Sequence, residues 1–208
     1  MVKIGGLTRF SLCDFPGRSS AVVFTQGCNF RCPFCHNGSL IPVDAPSESL
    51  IPESEVFEFL KGRRGQLDGV VISGGEPTIQ PDLIAFLRTV KALGYPIKLD
   101  TNGTRPDVLS AVLGDALVDF VAMDVKAPSH GYNRLTGVRA PVNAVRESLS
   151  IIAKSGLPHE FRTTFVEQLL SADDIGAIRE MIPAESLHRL HEFRPEYALD
   201  PMLRREQK

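Results

Sequence analysis

Short runs rich in Val, Ile and Phe recur along this chain with amphipathic stretches between them, and no other feature limits its fold as strongly. Six runs have the length of one strand, at 21–25, 69–73, 97–101, 119–126, 160–166 and 188–194. The stretches 52–64, 81–93, 106–113, 141–154 and 171–181 carry helical spacing, and four of them begin with a proline suited to a first helical turn. Strand and helix therefore alternate at about 35 residues per unit, which matches βα repeats and a mostly parallel sheet. Six units fall short of a closed eight-stranded barrel, and the chain does not open on the glycine fingerprint of a dinucleotide-binding fold. The expected fold is α/β, an incomplete and splayed (βα)6 barrel, as a single domain over residues 1–208. Segments 36–52 and 127–140 read as irregular.

Charge narrows the function classes. With 23 Lys and Arg against 25 Asp and Glu, the net charge is −2, and no basic block is present. Neither nucleic acid nor a membrane surface is therefore an expected partner. No apolar run reaches the roughly 18–20 residues that span a bilayer, and the first residues lack the apolar core of a signal peptide. The expected location is the cytoplasm, where clustered cysteines point to metal binding or catalysis before disulfides.

All four cysteines lie in the first 35 positions, and three of them, Cys28, Cys32 and Cys35, form a C-x3-C-x2-C loop just after the first of the six runs. Three thiolates on one short loop can hold three irons of a [4Fe–4S] cluster and leave a coordination position for another ligand. A zinc site that recruits Cys13 as fourth ligand, or three buried thiols, are the alternatives. The second motif, Ser73-Gly74-Gly75-Glu76-Pro77, ends the 69–73 strand. Its glycines let backbone approach a ligand, and Glu76 offers charge to an ammonium group; alone, such a motif is equally a turn. Period two over 118–126 puts Phe120, Ala122, Asp124 and Lys126 on one face, turning from apolar to charged toward the C-terminal end. Asp100 and Asn102, Arg162 and Thr164, and Glu192 and Arg194 repeat that change on neighbouring strands. Each alone could be a solvated strand end, but together they make one polar rim.

The cysteine loop, with Phe34 before its last cysteine, resembles the radical S-adenosylmethionine (SAM) superfamily. Within it the chain is most similar to glycyl-radical-enzyme activases, of the anaerobic ribonucleoside-triphosphate reductase type, through SLCDFPG, QGCNFRCPFCHN, SGGEP, LDTNGT, MDVKAP, EFRTTF and FRPEYALDP. The resemblance implies a [4Fe–4S] cluster on Cys28, Cys32 and Cys35, with SAM chelating the remaining iron and reductive cleavage giving a 5′-deoxyadenosyl radical. It implies that Gly74, Gly75 and Glu76 meet the amino group of SAM, and that Asp100 and Thr101 of the DTNG turn, which continues through Asn102, hold a monovalent cation. Asp124 and Lys126 would hold the ribose or carboxylate end, and His36 and Asn37 complete the cysteine motif. Asp14 and Arg162 would contact the glycyl loop of a partner glycyl radical enzyme, with a flavodoxin-like or ferredoxin-like protein as electron donor. Arg194 stands where some activases carry a histidine on the last strand, and Cys13, in place of an aliphatic residue, is expected to be a buried hydrophobe. The competing readings are a small-molecule radical SAM enzyme such as 7-carboxy-7-deazaguanine synthase, and a noncatalytic iron–sulfur or zinc module.

Overall fold

The computed structural model describes residues 1–204. The chain opens on a long hairpin, β1 (Ile4–Phe15) and β2 (Arg18–Thr25), and then runs through α1 (Glu53–Gly62), β3 (Gly69–Gly74), α2 (Leu83–Ala92) and β4 (Ile97–Thr101). It continues with α3 (Pro106–Gly114), β5 (Phe120–Asp124), α4 (Tyr132–Thr136), α5 (Val142–Lys154), β6 (His159–Phe165), α6 (Ala172–Met181) and β7 (His188–Glu192). The seven strands form one sheet in the order β1 to β7, with β1 antiparallel to β2 and every later pair parallel. Because β1 and β7 are edges that do not pair with each other, the sheet curls into an open half-barrel.

All six expected strands are present, and the incomplete barrel is the observed architecture. A seventh strand, β1, precedes them. Its register against β2 shifts three times, between Ile4 and Gly6, Thr8 and Ser11, and Ser11 and Phe15. Such irregularity destroys the clean alternation by which a strand is read from sequence. The expected irregular stretch 127–140 contains α4, a helix of 5 residues, too short to show a helical period. Among the prolines expected in first turns, only Pro106 lies there; Pro52 and Pro141 take the cap position and Pro81 stands one residue before the cap Asp82.

Alternation along each strand sorts side chains to two layers. Ala21, Val23, Val70, Ile72, Ile97, Leu99, Val121, Met123 and Phe161 are fully buried beneath the helices, against Val56, Leu60, Leu87, Val112, Leu149, Ile152 and Ile178. Each such aliphatic contributes about 1.5–3 kcal/mol by leaving water, so this outer layer holds the fold together. The concave face has a smaller apolar cluster of Phe15, Val22 and Val71 with Phe24 and Phe120 packed against it. Phe15, delivered by the end of β1, meets Phe120 of β5 edge to face with ring centroids 6.1 Å apart. Gly69 makes room for it, since a Cβ there would lie 2.8 Å from the Phe15 ring. These rings floor the half-barrel at the N-terminal ends of its parallel strands.

Candidate active site

At the other end of the same strands lies a cavity of about 400 Å³, within the range of small-molecule sites. Of the residues that the sequence nominates, Asp14, Cys28, Cys32, Phe34, Cys35, His36, Asn37, Gly74, Gly75, Glu76, Asp100, Thr101, Asn102, Asp124, Lys126, Arg162 and Thr164 line it, whereas Glu192 and Arg194 do not.

The cysteine loop leaves β2 and is tied down on several sides. The Gly27 and Cys28 amides donate to the carbonyls of Leu40 and Ile41 at 2.8 and 3.0 Å, and the Arg31 amide donates to the Thr136 carbonyl of α4 at 2.7 Å. Phe30 and Phe34 are sunk in the core. The end of the chain clasps the loop as well: the Asp200 amide donates to the Pro33 carbonyl at 2.8 Å, and the His36 ring stacks on Phe193 at 5.6 Å. Burial pushes the thiol of Cys28 up to about 11 and that of Cys32 up to about 12. Thiols so placed are thiolates only when a metal takes their charge. Among the described residues no three of His, Cys, Asp and Glu converge on a single ion, and Cys13 is exposed on β1 away from the cavity. With Cys13 outside the lining, the three loop cysteines have no fourth thiol beside them in the cavity, which disfavours a four-thiolate zinc site. The exposure of Cys13 also corrects the expectation that it is buried, because its side chain lies on the irregular edge strand.

Gly75 lets the turn after β3 press against the start of the cysteine loop, where a Cβ would lie 2.1 Å from the Gly27 carbonyl oxygen. Gly74 adopts φ +116°, open to glycine alone. Glu76 is held at the cavity wall by its neighbours. Its carboxylate is 1% exposed and accepts from the Thr78 amide at 3.0 Å, the Thr78 hydroxyl, the Thr101 hydroxyl at 2.7 Å and the Asn102 amide at 2.6 Å. Burial raises its pKa and these four donors pull against the rise. It therefore locks the end of β3 to the end of β4, leaving the glycine backbone to face the cavity. Asn102 is likewise a brace, donating to Asn29 Oδ1 of the cysteine loop at 2.8 Å.

Across β4, β5 and β6 the cavity wall is a ladder of charges. Asp100 Oδ2 accepts from Ser73 at 2.9 Å and faces Arg162 at 3.5 Å, while Oδ1 is paired with Lys98. Arg162 donates through Nε to Asp124 Oδ1 at 2.9 Å, and Lys126 to Asp124 Oδ2 at 2.8 Å. Burial alone would raise the Asp124 carboxyl, but Arg162 and Lys126 outweigh it and hold it well below the usual carboxylate range. Burial also opposes the charge of Lys126, yet Asp124 and the nearby Cys32 keep its pKa above normal. Arg162 is therefore committed to two carboxylates within the wall and not free to reach a partner. The implied monovalent cation would have to share Asp100 with an ammonium already there: Lys98 is paired with Oδ1, Ser73 donates to Oδ2, and the Thr101 hydroxyl is given to Glu76.

On the last strand the register pairs Thr164 with His191 and Phe165 with Glu192. His191 thus shares the inner face with Thr164 and lines the cavity, while Glu192 turns outward. Arg194 lies beyond β7, with its backbone amide on His36 Nε2 at 3.2 Å. The last strand therefore does present a histidine to the site. The strand is exposed along most of its length, so apolar alternation, the signal that sorts faces elsewhere, is absent here.

A parallel half-barrel with a three-cysteine loop after its first parallel strand and a charged cavity at the strand ends defines a class, and the comparisons agree: residues 22–170 match the Radical SAM superfamily, and the chain belongs to it. It is an enzyme family that uses a [4Fe–4S] cluster and SAM. More particularly, the chain is 33% identical over 95% of its length to a protein of Methanocaldococcus jannaschii assigned as a glycyl-radical enzyme activating enzyme, and covers 82% of that relative. The pyruvate formate-lyase-activating enzyme of Clostridium pasteurianum is 33% identical over 66% of this chain and 58% of its own. The 7-carboxy-7-deazaguanine synthase of Methanopyrus kandleri is 32% identical over 57% of this chain and 54% of its own. The chain thus spans little more than half of those last two relatives. Among solved structures, anSMEcpe with bound AdoMet superposes with a TM-score of 0.63 at 15% identity, over 86% of this chain and 54% of that one, a likeness of fold alone. Among the described residues no helix is long and apolar enough to cross a membrane.

Proposed function

We propose that the chain activates a glycyl radical enzyme of the anaerobic ribonucleoside-triphosphate reductase type by removing a hydrogen atom from a backbone glycine of that partner. The supporting observation is the similarity to the M. jannaschii relative, which extends over 95% of the chain instead of stopping at the cysteine loop. Cys28, Cys32 and Cys35 would hold three irons, and the buried braces Glu76 and Asn102 would keep the loop and the glycine turn in register. Bound there, the cluster would supply one electron for reductive cleavage of a C–S bond of SAM, so that methionine leaves and the 5′-deoxyadenosyl fragment ends as 5′-deoxyadenosine carrying the glycine hydrogen atom.

The protein's part is positioning. Gly74 and Gly75 would offer backbone to the amino-acid end of SAM, while Lys126, held by Asp124, would present its ammonium to a carboxylate or ribose oxygen. His36, Asn37 and Phe34 would close the side next to the cluster. Asp14, whose carboxylate is steadied by the Ser11 hydroxyl, would meet the glycine-bearing loop entering at the open side of the half-barrel. Bringing the reacting carbons to roughly 3–3.5 Å is worth more than any covalent help that these side chains could give. A flavodoxin-like or ferredoxin-like donor would supply the electron.

The test is anaerobic reconstitution with iron and sulfide, followed by dithionite, SAM and candidate glycyl enzymes. The expected result is 5′-deoxyadenosine together with the doublet of a glycyl radical in the electron paramagnetic resonance spectrum. The similarity to 7-carboxy-7-deazaguanine synthase favours a second reading, in which a pterin is converted with no partner protein. Pterin turnover without a glycyl signal would select that reading.

A further inference from the structure

Lys98 is a buried charge for which the proposed chemistry has no use. It sits in the middle of β4, two residues before Asp100, with its side chain 2% exposed, and its ammonium is paired with Asp100 Oδ1. Burying an ammonium inside a barrel is costly unless it does something there. Its neighbours define what that is. Asp100 Oδ2 already holds the Ser73 hydroxyl and faces Arg162, so Lys98 occupies the remaining oxygen at the cavity wall. The ladder of Lys98, Arg162 and Lys126 against Asp100 and Asp124 carries three positive and two negative charges, a net of +1. A net of +1 along this wall suits a carboxylate placed against it. A metal cation added at Asp100 would raise it to +2 and would meet an ammonium where its ligand should be.

We propose that Lys98 is a built-in substitute for a monovalent metal cation, so that its ammonium, bound to Asp100 from beneath, gives the SAM site its charge balance and orientation whatever salt is present. The inference rests on the SAM site assigned above and is independent of which substrate receives the radical.

The test is equilibrium dialysis of SAM against the reconstituted protein in potassium, sodium or tetramethylammonium chloride at equal ionic strength. The wild-type dissociation constant should agree within about twofold among the three salts. Lys98→Ala, which empties the space beside Asp100 Oδ1, should bind about tenfold more weakly in tetramethylammonium and recover in potassium, because a small cation then replaces a charge-assisted contact. Lys98→Arg should stay indifferent to the salt. A wild type that loses tenfold or more without potassium overturns the proposal, as does a Lys98→Ala protein that binds like wild type in every salt. Should Lys98→Ala not fold, the wild-type series and Lys98→Arg still decide. Absence of SAM binding in all salts would overturn the cofactor site and this inference with it, whereas absence of a glycyl radical in the partner assay would leave the Lys98 result standing.

Discussion

The two ends of the concave surface are built from the same strands and could hardly differ more. Phe120 begins β5 in the aromatic floor, and four residues later Asp124 ends it between Arg162 and Lys126. Val71 and Ser73 of β3 make the same transition. The floor is carbon packed on carbon, with no directional demand beyond shape. The mouth is a set of buried charges that are tolerable only because each has partners. Stability and chemistry are thus separated by a few ångströms along each strand, so changes at one end should leave the other measurably intact.

The sharpest way to break that separation is at the cysteine loop. Cys32→Ala should abolish 5′-deoxyadenosine formation while leaving the unloaded fold in place, and Cys13→Ala, on the exposed edge strand, should keep it; equal loss in both would return the four-thiol site to consideration. Next in size, Arg162→Ala leaves Asp100 to Lys98 and Ser73, and Asp124 to Lys126, and should cost up to about 3 kcal/mol in denaturant unfolding through the lost charge-assisted contacts, together with weakened SAM binding. A floor change should do the reverse. Phe15→Ala empties the space in front of Gly69 and should cost about 3 kcal/mol, with the SAM dissociation constant unchanged when measured by dialysis.

The smallest effect is in pH. Asp124 has a folded-state pKa below its unfolded value of about 3.9, so its contribution is complete above about pH 4 and is lost as pH falls below that toward the folded value. Unfolding midpoints collected between pH 3 and 6 should therefore decline at the acid end, and Asp124→Asn should flatten part of that decline. If the acid limb is the same in the variant, the pairing with Arg162 and Lys126 is not what holds the carboxylate ionised.

Much of this was legible in the sequence because it is local. Strands β2 to β6 declare themselves by their β-branched and aromatic residues, the cysteine loop by its spacing, and Asp124 and Lys126 by period two along β5. What escaped depends on pairing partners distant in the chain. The contacts that brace Glu76 come from Thr101 and Asn102, 25 and 26 residues away. Lys98 carries no signal in the sequence, because its burial depends on the curl of the sheet. Glu192 and Arg194 stand in the expected rim where the structure puts His191, because β7 is polar along its length and its register against β6 alone decides which residues turn inward. Strand β1 was missed for the opposite reason: its three register shifts erase a local signal that a regular strand would carry.

The clasp between the chain's end and the cysteine loop bears on how the enzyme matures. The contact from Arg194 to His36 closes a separation of 158 residues, and the one from Asp200 to Pro33 is longer still. Neither can form until almost the whole polypeptide has been synthesised, and contacts of such span are the slow ones in folding. The loop lacks these two contacts until then, and a chain cut before Phe193 should still take up its cluster, with the cluster's absorbance bleaching faster in air.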